Sequence, residues 1–200
     1  VMTEVQPMKM AAAEGLYETR ASAPFSILTI GSLDGTSARP ILEVPGLLSF
    51  LGTGSFSGEI QGINDIQAAV AAKYGANPQT ASNSYVPVIW MTYWNFRLMM
   101  GAGFLTMLFA VMALWKTRGE GVVTSGMWKH IAIWTPLLPV LANSFGWIFT
   151  EVGRQPWIVN GLMTTETGVS TSVTATSVWI SMIVFTLLYG ALAVVELRLL

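Results

Sequence analysis

Three long apolar segments dominate the second half of the chain, at residues 88–115, 131–152 and 178–197. Each has the roughly 20 residues that a helix needs to cross the hydrocarbon core of a bilayer. Residues 1–87 contain no apolar run of that length. The pattern therefore predicts an all-α integral membrane protein, in which three transmembrane helices follow a loop-rich extramembrane region with short helices.

Within that first region, helical spacing of alanines and charges predicts short helices over residues 6–19 and 65–74. Residues 21–64 are rich in Gly, Pro and Ser, which predicts loops, turns and a brief strand. The polar composition of residues 75–84 predicts a connector that leads to the first span. In the second span, Pro136 and Pro139 should kink or loosen the half nearer residue 131.

Composition supports a membrane protein and removes several other classes. The chain is 52% hydrophobic and 10% charged, whereas soluble domains carry about 25% charged residues. A net charge of −1 gives no reason to expect a nucleic-acid partner. Because cysteine is absent, disulfides, iron–sulfur clusters and thiolate metal sites are excluded. The chain begins at Val1 rather than Met, and we expect it to be a piece of a longer polypeptide.

Charge in the connecting segments predicts the orientation. Residues 116–130 hold more bases than acids, whereas residues 1–87 hold more acids than bases. The positive-inside rule places 116–130 and the C-terminus in the cytoplasm. Residues 1–87 and 153–177 are then extracytoplasmic, and the predicted division is an outer region, 1–87, followed by a transmembrane bundle, 88–200.

Ionisable residues near the end of the second span are the first candidate chemistry. Trp147, Glu151 and Arg154 stand at i, i+4 and i+7, on one face of a helix. Charged side chains inside a span are costly and are by default functional candidates. The plainer alternatives are an i,i+3 ion pair at a helix end for Glu151 and Arg154, and an interfacial anchor for Trp147.

The first span carries a second set of candidates, Arg97, Met99 and Gly103. Arg97 needs an anion, carbonyl groups or water. It could snorkel to the interface or pair with an acid on another helix. Met99 with Gly103 one turn later is usually a packing face, but a thioether can also be an axial haem ligand beside a glycine that leaves room for a flat macrocycle.

Two charges in the first predicted helix, Lys9 and Glu14, are the remaining candidates. They are five residues apart, about 140° around a helix, so we expect no close pairing between them. A solvated surface is the ordinary interpretation of such charges. His130, the only histidine, is expected in the cytoplasmic loop without a ligand role.

Three motifs now carry a resemblance to a known family. They are Gln-Pro-Met-Lys-Met-Ala-Ala-Ala-Glu at 6–14, Phe-Arg-Leu-Met-Met-Gly-Ala-Gly-Phe at 96–104, and Gly-Trp-Ile-Phe-Thr-Glu-Val-Gly-Arg-Gln-Pro-Trp at 146–157. In this order they resemble subunit I of cytochrome bd quinol oxidase. The resemblance covers essentially the whole chain, more loosely over 15–87. It implies the quinol-binding Q-loop, of the short type, followed by the last three helices.

The resemblance also implies roles for the candidates. Lys9 and Glu14 match the Q-loop residues needed for quinol binding and oxidation. Met99 matches the axial methionine of a low-spin haem b, and Arg97 the arginine that supports this haem. Glu151 matches the axial carboxylate of a high-spin haem b.

By the same resemblance, Arg154 matches an arginine near haem propionates and Trp147 an aromatic residue among the haems. The family's histidine ligands, for the low-spin haem b and for haem d, belong to earlier helices that this sequence lacks. We therefore expect the chain to be an incomplete part of the catalytic subunit.

The function implied is a terminal respiratory quinol:oxygen oxidoreductase of the bacterial cell membrane. Quinol would be oxidised at the outer face, and electrons would pass through the haems b to haem d, where O2 is reduced to water, electrogenically and without a proton pump. The implied partners are the remainder of subunit I, subunit II, a small single-helix accessory subunit, membrane lipid and quinone.

Two other functions stay open from the residues alone. A non-catalytic scaffold subunit of a membrane redox complex would keep its haem spectrum after Met99→Leu or Glu151→Ala. A transporter component would use Arg97 and Glu151 to bind a solute. Transporters favour paired broken helices of inverted topology, and three unrelated spans do not have this pattern.

Overall fold

The computed structural model describes residues 2–31, 38–75, 84–118 and 126–199. The chain divides into two compact units, Val1–Thr165 and Glu166–Leu200. The first contains the extramembrane elements and two membrane spans, and the second contains the last helix. The division at residue 87, between an outer region and a bundle, stays a prediction.

Within the described residues the helices are α1 Met2–Val5, α2 Pro7–Glu14, α3 Leu47–Thr53, α4 Ile63–Tyr74, α5 Ile89–Lys116, α6 Gly126–Trp134, α7 Leu137–Gly153 and α8 Ala175–Leu199. The strands are β1 Arg20–Ala21, β2 Phe25–Gly31, β3 Ala38–Val44, β4 Glu59–Ile60, β5 Trp157–Val159 and β6 Met163–Thr164. They form three antiparallel two-stranded ladders, β1 with β4, β2 with β3 and β5 with β6.

Three helical segments are long and apolar enough to cross a membrane: Ile89–Lys116, Gly126–Gly153 and Ala175–Leu199. The predicted mostly helical fold with three spans is confirmed. In the second span the helix is interrupted between Trp134 and Leu137. The predicted loosening is confirmed there, because proline has no N–H and clashes with the preceding turn.

Three expectations from the sequence were wrong in detail. The second span begins at Gly126, so Lys129 and His130 lie in α6 rather than in a loop. The first predicted helix ends at Glu14, since Gly15 adopts a left-handed conformation (φ 64°) and Leu16 N–H bonds back to the Ala11 carbonyl. Residues 21–64 contain α3 and the β2–β3 hairpin, not mainly loop.

Helix α2 is the centre of the extramembrane part because its buried face is made of alanines. Ala11, Ala12 and Ala13 are almost fully buried, and α2 packs on α4, α5 and α7. Small side chains let its backbone approach all three helices closely. The charged residues at either side of this alanine run are thereby brought against both spans of the first unit.

An aromatic cluster joins the segment after α7 to the end of α4. The Trp157 ring centroid lies 5.1 Å from that of Tyr74 and 5.4 Å from that of Tyr85, which is stacked on it. Tyr85 is buried, and its hydroxyl donates to the Gly75 carbonyl at 3.3 Å. The β5–β6 hairpin is thus held against the extramembrane part of the first unit.

Candidate functional site

Lys9 and Glu14 leave α2 in different directions, as their spacing predicts, and neither is solvated. Lys9 is 8% exposed and Glu14 is 4% exposed. Glu14 contacts Arg97 of α5, whereas Lys9 contacts α7. The interpretation of these charges as a solvated surface was therefore wrong, because α2 is covered by the two spans.

Glu14 and Arg97 form a buried ion pair. Arg97 Nη2 donates to Glu14 Oε2 at 2.7 Å, and Arg97 Nη1 lies 3.4 Å from Oε1. The side chains are 11% exposed for Arg97 and 2% for Glu14. Arg97 Nη2 also donates to the Ser26 carbonyl oxygen of β2. Of the alternatives for Arg97, the structure shows the pair with an acid on another helix.

Aromatic rings surround the Arg97 guanidinium. Its Cζ lies 4.5 Å from the ring centroid of Tyr93, 5.0 Å from that of Phe25 and 5.3 Å from that of Phe96. A desolvated cation over such rings gains cation–π attraction. Arg97 Nε is buried without a hydrogen-bond partner in the described structure, so one donor of this group remains unused.

The environment of Glu14 makes its carboxyl easier to protonate than that of a solvated glutamate. Burial raises the pKa of the Glu14 carboxyl above its ordinary value. The charge of Arg97, its hydrogen bond and the Ser26 N–H act in the opposite direction without cancelling this effect. Glu14 can therefore take up a proton at a higher pH than a solvated glutamate does.

Lys9 is packed against the end of α7. Its Nζ lies 4.7 Å from the ring centroid of Phe149. A Cβ at Gly153 would stand 3.1 Å from Lys9 Cγ and 3.1 Å from Thr92 Cγ2, which is a tight contact on both sides. Burial and then the positive charge of Arg154 lower the pKa of Lys9, while Glu151 opposes them.

Glu151 and Arg154 form the i,i+3 ion pair that spacing allowed, where α7 ends. Unlike the first pair it is partly open, with Glu151 40% and Arg154 36% exposed. Arg154 Nε is buried without a hydrogen-bond partner in the described structure. Trp147, one turn earlier, is 69% exposed.

Met99 and Glu151 line one groove of about 810 Å³ between α5 and α7. This is within the range of 300–1,000 Å³ that is usual for small-molecule and cofactor sites. Its remaining walls are Gly103, Thr106, Pro139, Ala142, Asn143, Gly146, Trp147 and Thr150. A Cβ at Gly146 would come within 2.9 Å of Met99 Sδ. A thioether, a carboxylate and glycines along a mostly apolar groove are residues suited to holding iron macrocycles.

Several residues of this region were missed at the sequence level. Tyr93 contacts the Arg97 guanidinium and Phe149 contacts Lys9. Tyr93 stands one turn before Arg97 on α5, and that spacing could have indicated it. Phe149 lies two residues from Glu151, so helical spacing gave no signal for it. Ser26 had no signal, because its contacts come from the backbone of a hairpin that was predicted as loop.

Comparisons with known proteins agree with these features. The family model for cytochrome bd terminal oxidase subunit I matches residues 1–200. The chain is 42% identical over 198 residues to cytochrome bd ubiquinol oxidase subunit 1 of Bacillus subtilis, and the match covers 96% of this chain and 41% of that protein. It is 26% identical to cytochrome bd-II ubiquinol oxidase subunit 1 of Escherichia coli, over 99% of this chain and 48% of that protein.

A solved structure supports the same assignment. The bd oxidase from Geobacillus thermodenitrificans superposes with a TM-score of 0.68 at 28% identity, over 97% of this chain and 40% of that one. The chain thus spans less than half the length of these relatives. The predicted resemblance is confirmed, and the chain belongs to the cytochrome bd terminal oxidase subunit I family.

Proposed function

We propose that this chain forms the quinol-oxidising side and part of the haem-binding side of a respiratory quinol:oxygen oxidoreductase in a bacterial cell membrane. One observation carries the proposal. Helix α2 brings Glu14 against Arg97, two residues from Met99, and brings Lys9 against Gly153, two residues from Glu151. The residues matched to quinol oxidation therefore contact the same two helices, α5 and α7, within two residues of those matched to haem ligation.

On the haem side, Met99 would hold a low-spin haem b and Glu151 a high-spin haem b. A thioether ligand would raise the potential of a haem held there. Haems held by these residues would supply the electron-transfer chemistry that connects quinol oxidation to the reduction of O2. The imidazole ligands would come from the remainder of subunit I. Arg154, with an unused buried N–H, suits a haem propionate.

On the quinol side, Lys9 and Glu14 would act directly on the substrate. Oxidation of a quinol to a quinone releases electrons and protons together, so the site needs a proton acceptor. Glu14 is suited to this because burial raises its pKa toward the operating pH. Lys9 would orient the other polar end of the ring by donating a hydrogen bond.

The topology makes the reaction electrogenic in this proposal. With residues 1–87 and 153–177 outside, protons from quinol leave on the outer face, whereas oxygen reduction takes protons from the cytoplasm. No pump is needed. The complete oxidase in sealed vesicles should therefore generate a membrane potential during turnover, and turnover without a potential would contradict this part of the proposal.

Subunit II, a small single-helix accessory subunit, membrane lipid and quinone are the proposed partners beside the remainder of subunit I. Helix α8 has no buried residue within its own unit. Its long apolar surface suits lipid or neighbouring helices of such an assembly.

Glu14→Ala in the complete oxidase tests the proposed function. It should abolish quinol oxidation while oxidation of an artificial donor that bypasses the Q-loop continues, because the quinol site loses its proton acceptor whereas Met99 and Glu151 are unchanged. Glu18→Ala, at an exposed glutamate four residues further on, is the matched control and should leave both reactions unchanged. Unchanged quinol oxidation in Glu14→Ala would overturn the proposal.

A further inference from the structure

The strand that faces the Glu14–Arg97 pair is irregular. In β2, Ser26 and Thr29 are both buried, although residues three apart in a regular strand point to opposite faces. The pairing of β2 with β3 shifts register on either side of Leu28. Such an irregularity turns side chains out of the regular alternation. We call residues 26–29 the β2 bulge.

Tyr93 of α5 holds this bulge by its hydroxyl group. The Tyr93 hydroxyl oxygen accepts the Thr29 N–H at 2.7 Å and lies 3.4 Å from Ser26 Oγ. The hydroxyls of Ser26 and Thr29 are bonded to each other. Tyr93 itself is only 5% exposed. Within the described structure the phenol is thus a buried link between α5 and the backbone of the bulge.

The bulge in turn contacts the ion pair. The Ser26 carbonyl accepts from Arg97, and the Ser26 backbone opposes the rise in the pKa of the Glu14 carboxyl. The ring of Tyr93 also forms one wall of the Arg97 site, 4.5 Å from its Cζ. Tyr93 therefore acts on the pair twice, through the bulge and through its own ring.

We propose that Tyr93 is a positioning residue of the quinol site, which orients the Glu14 carboxylate and the Arg97 guanidinium by fixing Ser26 in the β2 bulge. It acts through Ser26 rather than on quinol. This inference rests on the proposed function, since it assumes that Glu14 meets the substrate.

Tyr93→Phe in the complete oxidase isolates the hydroxyl, because the ring and its contact with Arg97 remain. The Thr29 N–H then loses its partner, and loss of such a buried hydrogen bond loosens the bulge. We expect the KM for quinol to rise about tenfold, while kcat changes less than about twofold, a difference of about 1.4 kcal/mol in binding. Oxidation of the artificial donor and the haem spectrum should stay as in the wild type.

Tyr85→Phe is the matched control. Tyr85 is equally buried and its hydroxyl also bonds to a backbone group, but it lies in the aromatic cluster with Trp157 rather than at the ion pair. A general loss of stability would affect both variants alike. A specific positioning role raises the KM for quinol only in Tyr93→Phe.

A wild-type KM for quinol in Tyr93→Phe would overturn the inference, provided that Glu14→Ala abolishes quinol oxidation. If Glu14→Ala is itself without effect, the proposed function has failed instead. If the Tyr93→Phe oxidase does not assemble, the KM for quinol of Ser26→Ala tests the inference instead. This variant removes the hydroxyl that contacts both Thr29 and Tyr93. It should raise the KM about threefold, and an unchanged KM would contradict the inference.

Discussion

The two ion pairs of the first unit have the same chemistry and opposite surroundings. Glu14 and Arg97 are 83 residues apart in the chain and buried, with the guanidinium enclosed by aromatic rings. Glu151 and Arg154 are three residues apart and more than a third exposed. The first pair therefore depends on the tertiary structure, whereas the second forms where a single helix ends.

The resemblance relates both Arg97 and Arg154 to haems, but the surroundings of the two arginines differ. Arg97 was expected to support a haem, but its Nη groups are occupied by Glu14 and by the Ser26 carbonyl. Arg154 remains open to a further anion, beside the groove that Met99 and Glu151 share. We therefore propose that Arg97 serves the Glu14 side of the site and that Arg154 serves the haem side.

The largest expected effect comes from breaking the buried pair. Arg97→Gln leaves the Glu14 carboxylate buried without its counter-ion, and such a change costs roughly 3–5 kcal/mol. Arg154→Gln, in the exposed pair, should cost less than about 1 kcal/mol. Chemical denaturation of the purified oxidase in detergent measures both. Equal losses of unfolding free energy would contradict the contrast between the pairs.

Overpacking the contact of Lys9 with α7 should have a smaller effect. Gly153→Ala would place a methyl group 3.1 Å from Lys9 Cγ and from Thr92 Cγ2. Forcing these groups apart costs about 1–3 kcal/mol and should raise the KM for quinol. Gly101→Ala is the control, because a Cβ there meets nothing within 4 Å in the described structure. A Gly153→Ala enzyme as stable as Gly101→Ala would disprove the close approach.

The smallest effect is a dependence of stability on pH. Because the pKa of Glu14 is raised by folding, its stabilising contribution is present below the ordinary value of 4.5 and is lost as pH rises through the raised value. Glu14→Gln should therefore gain stability relative to the wild type as pH rises from 4.5. Thermal unfolding at several pH values measures this, with Glu18→Gln as the control at an exposed glutamate. A relative loss with rising pH would contradict it.

The sequence predicted the parts of this fold that depend on local pattern. Length and hydropathy placed three spans, and proline chemistry placed the break before Leu137. The contact between Glu14 and Arg97 could not be deduced, since no periodicity connects residues 83 apart. Nor could the burial of Lys9, which depends on how α2 packs on α7.

The groove between α5 and α7 shows again that contacts within one helix are predictable from the sequence and contacts between helices are not. The i,i+3 spacing of Glu151 and Arg154 offered their ion pair as an alternative, and the structure shows it, because both residues belong to one helix end. The approach of Gly146 to Met99 joins two helices, and sequence spacing contains no information on it. The β2 bulge was missed because its irregular register hides the alternation that indicates a strand.

The central claim is that haem is held in the groove lined by Met99 and Glu151 and not at the buried Glu14–Arg97 pair. The visible spectrum of the complete oxidase tests this claim most directly. Reduced-minus-oxidised spectra of Met99→Leu, Glu151→Gln and Glu14→Gln should be compared with the wild type. We predict that Met99→Leu loses the low-spin haem b signal, that Glu151→Gln loses the high-spin signal, and that Glu14→Gln keeps both beside the chlorin-type band. Unaltered haem b signals in both Met99→Leu and Glu151→Gln would contradict this account and favour a scaffold subunit.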